Sequence, residues 1–268
     1  MSPPLPAWDR LAGVLAGLAG ALVAVSGGVD SLTLAAAAHR VLGRAARMHH
    51  AVSPAVPPEA TERTRALAVA HGWDLTVFDA GEFDDARYRA NPANRCFWCK
   101  TSLYGALAAH ATTHGGSVVL SGTNTDDLGD WRPGLKAAAE HGVRHPFVEA
   151  GIDKATVRRL AAMLGLGAVA ELPSSPCLSS RIETGIRVEA ELLALVHRAE
   201  TLVTQMLAPR TVRCRVRAAG IVVELDDDTL ARLPRVRPAL DEALHRLASR
   251  PVAFAAYRTG SAFLREPA

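Results

Sequence analysis

The sequence predicts an α/β fold, a parallel sheet with helices on both faces, followed by a smaller C-terminal α+β domain. Three observations predict it. Short apolar runs of strand length alternate with helix-period stretches over the first two thirds of the chain, the pattern of a covered parallel sheet. The first such run empties through a Gly-Gly loop into a helical stretch, a strand–loop–helix unit. Beyond residue 186 the chain starts again, with two strand-like runs around Ala218-Ala219-Gly220 that read as a hairpin. The expected division is therefore 1–186 and 187–268. With 49% hydrophobic and 21% charged residues in 268, a packed core is expected.

In order, residues 21–25 read as a buried strand and 30–42, with Leu32, Leu34 and an alanine run, as the helix after it. Residues 48–52 are a second strand, and 57–71 a helix with proline in its first turn and Gly72 just past its end. Residues 75–78 and 117–120 complete the sheet, with a helix over 97–113 between them. Helices follow over 134–141 and 154–164. The stretch 172–185, with two prolines, Cys177 and several serines, is a loop of the kind that carries function on a rigid scaffold. The second domain reads as a helix to about residue 207, strands over 211–216 and 221–225, a helix bearing Leu240, Leu244 and Leu247, and a last strand over 252–257.

The apolar segment 11–25 lacks a basic region before it and runs directly into a polar loop, so it reads as helix and strand and not as a secretory signal. With no separate run of membrane-spanning length, a cytoplasmic protein without membrane contact is expected. The net charge of +3 rests almost wholly on arginine, with only Lys100, Lys136 and Lys154 as lysines, and requires no nucleic-acid surface. Four cysteines without a secretory signal point to metal or catalysis.

Ser26-Gly27-Gly28-Val29-Asp30-Ser31 carries the strongest chemical signal. Adjacent glycines let backbone approach an anion, and the loop leads into a helix N-terminus whose N–H groups and dipole favour phosphate. Ser26 and Ser31 add donors, whereas Asp30 suits Mg²⁺ or a substrate group. No G-K-[ST] follows, so this is not a Walker A loop. The hexapeptide resembles the pyrophosphate loop of N-type ATP pyrophosphatases, such as GMP synthetase, NAD synthetase and tRNA thiolation enzymes. That resemblance implies ATP cleavage between the α and β phosphorus to form an adenylate.

A second loop, Ser121-Gly122-Thr123-Asn124-Thr125-Asp126-Asp127, follows the fourth strand, at the sheet edge where parallel sheets place ligands. Gly122, Thr123 and Asp127 are candidate nucleotide contacts, and Asp126 or Asp127 could share Mg²⁺ with Asp30. An Asx-turn with a helix cap accounts for the same residues structurally. Cys96-Phe97-Trp98-Cys99-Lys100 reads as a redox dithiol, half a zinc site, or, with Cys177, the three thiolates of a [4Fe-4S] cluster with one iron open. Trp98, Lys100 and Arg181 are candidate substrate contacts; Arg181 has no evident packing role on its loop. Arg213, Arg215 and Glu224 could bind substrate phosphate or simply form a solvated strand face. Cys214 alternates with the two arginines and is expected in the core, and His49 and His50 are assigned no role.

Residues 26–31, 96–100, 122–134 ending in Trp131-Arg132-Pro133-Gly134, and 176–182 together resemble the LarE family of pyridinium-3,5-biscarboxylate mononucleotide sulfur transferases. The resemblance implies adenylation of a substrate carboxylate and its conversion to a thiocarboxylate during assembly of the nickel-pincer nucleotide cofactor. It also implies ATP and Mg²⁺ at the first two motifs and a homo-oligomer, with arginines of the Arg213 strand near an anion site at a subunit interface. In the family the cysteine matching Cys177 can be a sacrificial sulfur donor. Cys96 and Cys99 instead make this chain similar to relatives with a [4Fe-4S] cluster fed by an external sulfur donor, and that form is expected here. A tRNA thiolase and a nucleotide-binding regulator with structural zinc are the alternatives; the first would need a basic groove or RNA module that the sequence lacks.

Overall fold

The computed structural model describes residues 6–113, 115–129, 132–248 and 250–258. In chain order the elements are α1 (Pro6–Ala16), β1 (Ala21–Ala24), α2 (Val29–Leu42), β2 (Ala46–Ala51), α3 (Pro58–His71), β3 (Asp74–Phe78), α4 (Ala86–Arg89), α5 (Arg95–Thr113) and β4 (Val118–Leu120). They continue with α6 (Pro133–Glu140), α7 (Pro146–Glu149), α8 (Lys154–Met163), α9 (Ala190–Leu207), β5 (Val212–Arg217), β6 (Gly220–Leu225), α10 (Asp227–Arg232), α11 (Arg237–Leu247) and β7 (Val252–Ala256). The described residues form two compact units. The first runs to Asp84 and resumes from Cys96 to Ser175; the second takes residues 85–95 and everything from Pro176. The division is thus discontinuous and falls earlier than residue 186.

The first unit is α/β. Its four strands are all parallel in the order β3-β2-β1-β4, consistent with a Rossmann-like fold. Alternation along β1 explains why both faces carry helices. Ala21 and Val23 join a core with α1, α2 and α8, while Leu22 joins a second core with Tyr104, Leu107 and Ala111 of α5 and Ala137 and Ala138 of α6. Ala35, Ala37 and Ala38 of α2 are fully buried, and their small side chains let that helix sit close to the sheet. Helix α3 starts on Pro58 and ends on Gly72 in the left-handed conformation, φ 67° and ψ 34°, whose N–H returns to the carbonyls of Ala68 and Val69. At the start of α8 the Asp153 carboxylate accepts from the Thr156 amide at 2.7 Å.

Strand order decides where a ligand would sit. The chain moves outward from β1 to β2 and β3, then returns to place β4 on the other side of β1. The loops leaving β1 and β4 therefore diverge at a topological switch point, the place where open α/β sheets bind ligands.

The second unit has a three-stranded sheet in the order β5-β6-β7, β5 and β6 antiparallel and β6 and β7 parallel. Leu193, Val196, Ala199, Val203 and Leu207 form the buried stripe of α9, which packs on β5. No helix among the described residues is long and apolar enough to cross a membrane.

Candidate active site

The loop after β1 is held in place from both sides. Gly27 adopts φ 81°, a region open to glycine, and a Cβ there would lie 2.7 Å from the Ala60 carbonyl oxygen of α3. Arg63 of α3 donates to the Gly27 carbonyl at 2.6 Å, so α3 grips the outer side of the turn. On the inner side the Ser31 hydroxyl donates to the Gly28 carbonyl at 3.1 Å, accepts from the Ser26 amide at 3.0 Å and lies 3.1 Å from the Ser26 hydroxyl. Gly28 is the N-cap of α2, and no side chain caps the helix there. The first-turn N–H groups of Val29, Asp30 and Ser31 thus lie at a positive helix end that no side chain caps.

The loop after β4 closes on this turn. A Cβ on Gly122 would stand 2.8 Å from the Ser31 nitrogen and 2.9 Å from the Asp30 carbonyl carbon, so only glycine permits the approach. Beside it, Ser121 Oγ lies 3.1 Å from Thr123 Oγ1 and 2.9 Å from His145 Nδ1. The Asp30 carboxylate accepts from Asn124 Nδ2 at 3.2 Å on one oxygen and from Lys154 Nζ at 2.5 Å on the other. Asn124 Oδ1 accepts from the Asp126 amide at 3.0 Å, and Asp126 Oδ2 accepts from the Lys154 amide at 3.1 Å. Asp30, Asn124, Asp126 and Lys154 therefore form a closed ring of hydrogen bonds at the α2 N-terminus. Asp127 is paired with Arg132 at 2.9 Å and is tied to that ring by the Asn124 amide, which donates to it at 3.1 Å. Trp131, in the motif that ends at Gly134, lies outside the described residues.

Cys96 and Cys99 sit one helical turn apart at the start of α5 and are half-buried. In the same helix Trp98 packs edge-on to Phe97, and Lys100 lies over the Tyr104 ring at 5.6 Å. Cys177 belongs to the second unit, where it is exposed. Among the described residues no group of three or more His, Cys, Asp or Glu side chains is gathered for a metal ion.

The Cys177 loop is irregular but tightly tied within its unit. Asn91, at φ 56°, donates through Nδ2 to the carbonyls of Glu183 and Ile186, each at 2.8 Å. Arg95 donates to the Ser179 carbonyl at 3.0 Å and to Asn91 Oδ1, and the Tyr88 hydroxyl meets Ser179 Oγ at 2.7 Å. These bonds replace the regular ladder that the loop lacks.

Arg181 departs from the expectation that its guanidinium stands open on the loop. It is 3% exposed, forms two bonds to Glu200 at 2.9 and 3.0 Å, and donates to the carbonyls of Pro176 and Cys177. It therefore fastens the loop, since its side chain reaches back across the turn it belongs to. Arg215 and Glu224 are likewise buried and paired at 3.0 Å, and Arg215 also donates to the Ser180 carbonyl at 3.0 Å. Arg213 donates to the Val212 carbonyl and lies 5.8 Å from the Tyr257 ring. Burial and then the charge of Arg181 hold its guanidinium below the ordinary arginine value. Cys214 is fully buried, and burial pushes its thiol up to about 12, as suits a core residue.

The chain is 32% identical to pyridinium-3,5-bisthiocarboxylic acid mononucleotide synthase of Lactiplantibacillus plantarum over 194 residues, 72% of this chain and 70% of that one. The chain belongs to the LarE family. This LarE chain is also 43% identical over 180 residues, 67% of each chain, to an uncharacterized protein of Synechocystis sp.. It is 29% identical over 138 residues to an uncharacterized protein of Methanocaldococcus jannaschii, covering 52% of this chain and 53% of that one. No family model matches the chain.

Several residues of this LarE chain that shape the site were not among the candidate site residues. His50, read as having no role, is fully buried; its Nδ1 bonds the Val25 carbonyl at the base of the loop at 2.8 Å and its Nε2 lies 2.9 Å from Thr61 Oγ1. Burial holds its imidazole below the usual histidine value. Asn124 and Lys154 at Asp30, Arg63 at Gly27, Asn91 and Arg95 at the Cys177 loop, and Glu200 at Arg181 complete the set. Only the rarity of lysine in an arginine-rich chain singled out Lys154 beforehand.

Proposed function

We propose that this protein is an ATP-dependent sulfur transferase that adenylates a carboxylate of pyridinium-3,5-biscarboxylic acid mononucleotide and converts it to a thiocarboxylate, a step in nickel-pincer nucleotide biosynthesis. The observation that carries the reading is the uncapped α2 N-terminus at the switch point, approached by Gly27, Gly28 and Gly122, in a chain of the LarE family. That cradle suits a pyrophosphate, whose charge the first-turn N–H groups and helix dipole stabilise. Ser26, Gly27, Gly28, Val29, Ser31, Gly122 and Thr123 would contact ATP.

Asp30, with Asp127 as second carboxylate, would hold Mg²⁺, which supplies charge neutralisation at the phosphates when bound. The donor set at Asp30 fits: its carboxylate already carries a cationic partner, Lys154, that is one third exposed. In the reaction a substrate carboxylate oxygen bonds to the α phosphorus, and the bond from that phosphorus to the bridging oxygen breaks, its electron pair leaving with pyrophosphate. The adenylate makes AMP the leaving group for the later attack by sulfur.

Cys96, Cys99 and Cys177 would hold a [4Fe-4S] cluster, which when bound would present sulfide taken from an external donor. Two half-buried thiols one turn apart and one exposed loop thiol form a donor set suited to three irons. Arg213, with Trp98 and Lys100, would meet the substrate, while Arg181, Arg215 and Glu224 would set the loop and strand that present it.

Anaerobic incubation with the mononucleotide, magnesium ATP and sulfide tests the reading. Mass spectrometry should find a carboxylate oxygen replaced by sulfur, and the purified protein should contain iron and acid-labile sulfide. An unchanged mononucleotide, with thiolated tRNA or stoichiometric zinc in its place, would refute it.

A further inference from the structure

His145 belongs to none of the loop motifs, yet the fold holds it against the loop after β4. Residues 143–145 extend the sheet by one parallel bridge, Leu120 to Arg144: the Arg144 amide donates to the Val119 carbonyl and the Ser121 amide to the Arg144 carbonyl, each at 3.0 Å. His145 is thereby carried to the carboxyl edge of the sheet, and the buried Pro146 and Phe147 anchor the chain behind it. Its Nδ1 lies 2.9 Å from Ser121 Oγ, which lies 3.1 Å from Thr123 Oγ1. Ser121 is buried, Thr123 is half-buried, and Gly122 between them abuts the Ser31 nitrogen at the start of α2. Three hydrogen-bonding groups in a row thus end on a hydroxyl one residue from that contact. Burial holds the imidazole below the ordinary histidine value against the pull of Glu149 on α7 and Asp127 on the loop, so a neutral ring has one N–H to place.

The direction of such a row is decided at its ends, because each hydroxyl has one proton to donate. If Nδ1 accepts, Ser121 donates to it, Thr123 donates to Ser121, and the row offers only lone pairs at its outer end. If Nδ1 carries the proton, both bonds reverse and the Thr123 O–H is released outward. A phosphate oxygen can only accept, so it selects the second arrangement. We propose that His145 is a positioning residue: as the Nδ1–H tautomer it donates to Ser121, which donates to Thr123, so that Thr123 donates to a phosphate oxygen of the bound nucleotide. The proposal rests on the reading of the loop as an ATP-cleaving site. The two arrangements differ in tautomer and not in charge, so binding takes up no net proton.

Two measurements test this. In the first, magnesium ATP is titrated calorimetrically into the wild type, His145→Leu and His145→Asn. Asparagine places its amide nitrogen where histidine holds Nδ1 and so keeps the donor, whereas leucine fills similar space without one. His145→Leu should weaken ATP roughly five- to thirtyfold, as loss of a hydrogen bond to a charged group does, and His145→Asn should stay within about threefold of wild type. A folded His145→Leu protein that binds ATP as wild type does, or a folded His145→Asn protein as weak as His145→Leu, would overturn the proposal and leave His145 a packing residue.

The second reads the tautomer itself in the wild type. Nitrogen NMR of histidine-labelled protein, at a pH above the ordinary histidine value, distinguishes a protonated from a bare ring nitrogen, and the signals missing from His145→Asn are those of His145. Saturated with magnesium ATP, His145 should show a protonated Nδ1 and a bare Nε2; the opposite tautomer would overturn the proposal. If the wild type does not bind magnesium ATP at all, the reading of the loop itself fails, a result distinct from failure of His145 alone.

Discussion

Adjacent glycines in the loop after β1 do different work, and alanine at each separates folding from ligand binding. At Gly28 the backbone has φ −88° and ψ 164°, which any residue adopts, and an added Cβ would meet nothing closer than Ser26 Oγ at 3.6 Å. Alanine restricts the unfolded chain, stabilising by about 0.4–1 kcal/mol, but is a poorer N-cap than glycine by about 1 kcal/mol. The two nearly cancel. Stability of Gly28→Ala should therefore stay within about 1 kcal/mol of wild type, a shift of roughly 2–4 °C or less in Tm for a unit of this size. Its methyl group nevertheless occupies the space through which backbone would approach a phosphate, so ATP affinity should fall about tenfold or more.

At Gly27 the φ of 81° costs an L-residue about 1–2 kcal/mol. A Cβ 2.7 Å from the Ala60 carbonyl adds a further ~1–3 kcal/mol of overpacking. Gly27→Ala should lose stability as well as ATP. Thermal unfolding with and without ATP, together with titration calorimetry, reads both. A Gly28→Ala protein that binds ATP as well as wild type would refute the phosphate cradle, whatever its stability.

Asp30→Ala should abolish pyrophosphate release while some ATP affinity remains, at a stability change within about 1 kcal/mol because its ion pair with Lys154 is partly exposed; equilibrium ATP binding beside a pyrophosphate assay distinguishes the two effects. Alanine at Cys96, Cys99 or Cys177 should each remove the iron chromophore and multiple turnover, whereas Cys214→Ala, deep in the core, should keep both. If Cys96→Ala still gives one sulfur per chain and Cys177 becomes dehydroalanine in proportion to product, the sacrificial route replaces the cluster. Burial also lowers His145, so His50 and His145 both stay neutral in the fold below the pH at which the unfolded chain protonates them. Their contribution is complete above the ordinary histidine value of 6.5 and is lost as pH falls through the lowered folded values. Urea unfolding between about pH 7.5 and 5 should show stability falling with acid, and His50→Gln should flatten that slope; an unchanged slope would mean His50 takes no part.

Elements with a strong local signature were legible in the sequence. The helix predicted over 57–71 appears as α3 with its proline start and left-handed Gly72, and the strand candidates of the first unit form one parallel sheet. The short helices α4, α7 and α10 were not read, because four to six residues carry too little periodicity. Loop geometry was legible where the motif supplies the reason, as at Gly27 and Gly28. Contacts with a partner distant in sequence were not legible. Lys154 meets Asp30 across 124 positions and His50 meets Val25 across 25. Arg181 shows the converse: a loop position suggested an open guanidinium, but Glu200 on α9, nineteen residues on, takes it up.

Which bond of ATP is broken decides between adenylation and phosphoryl transfer. ATP labelled at the α phosphorus, incubated with the purified protein, Mg²⁺ and pyridinium-3,5-biscarboxylic acid mononucleotide, should give labelled AMP and unlabelled pyrophosphate, in a reaction that depends on the mononucleotide and is lost in Asp30→Ala. Release of labelled ADP with orthophosphate would contradict adenylation.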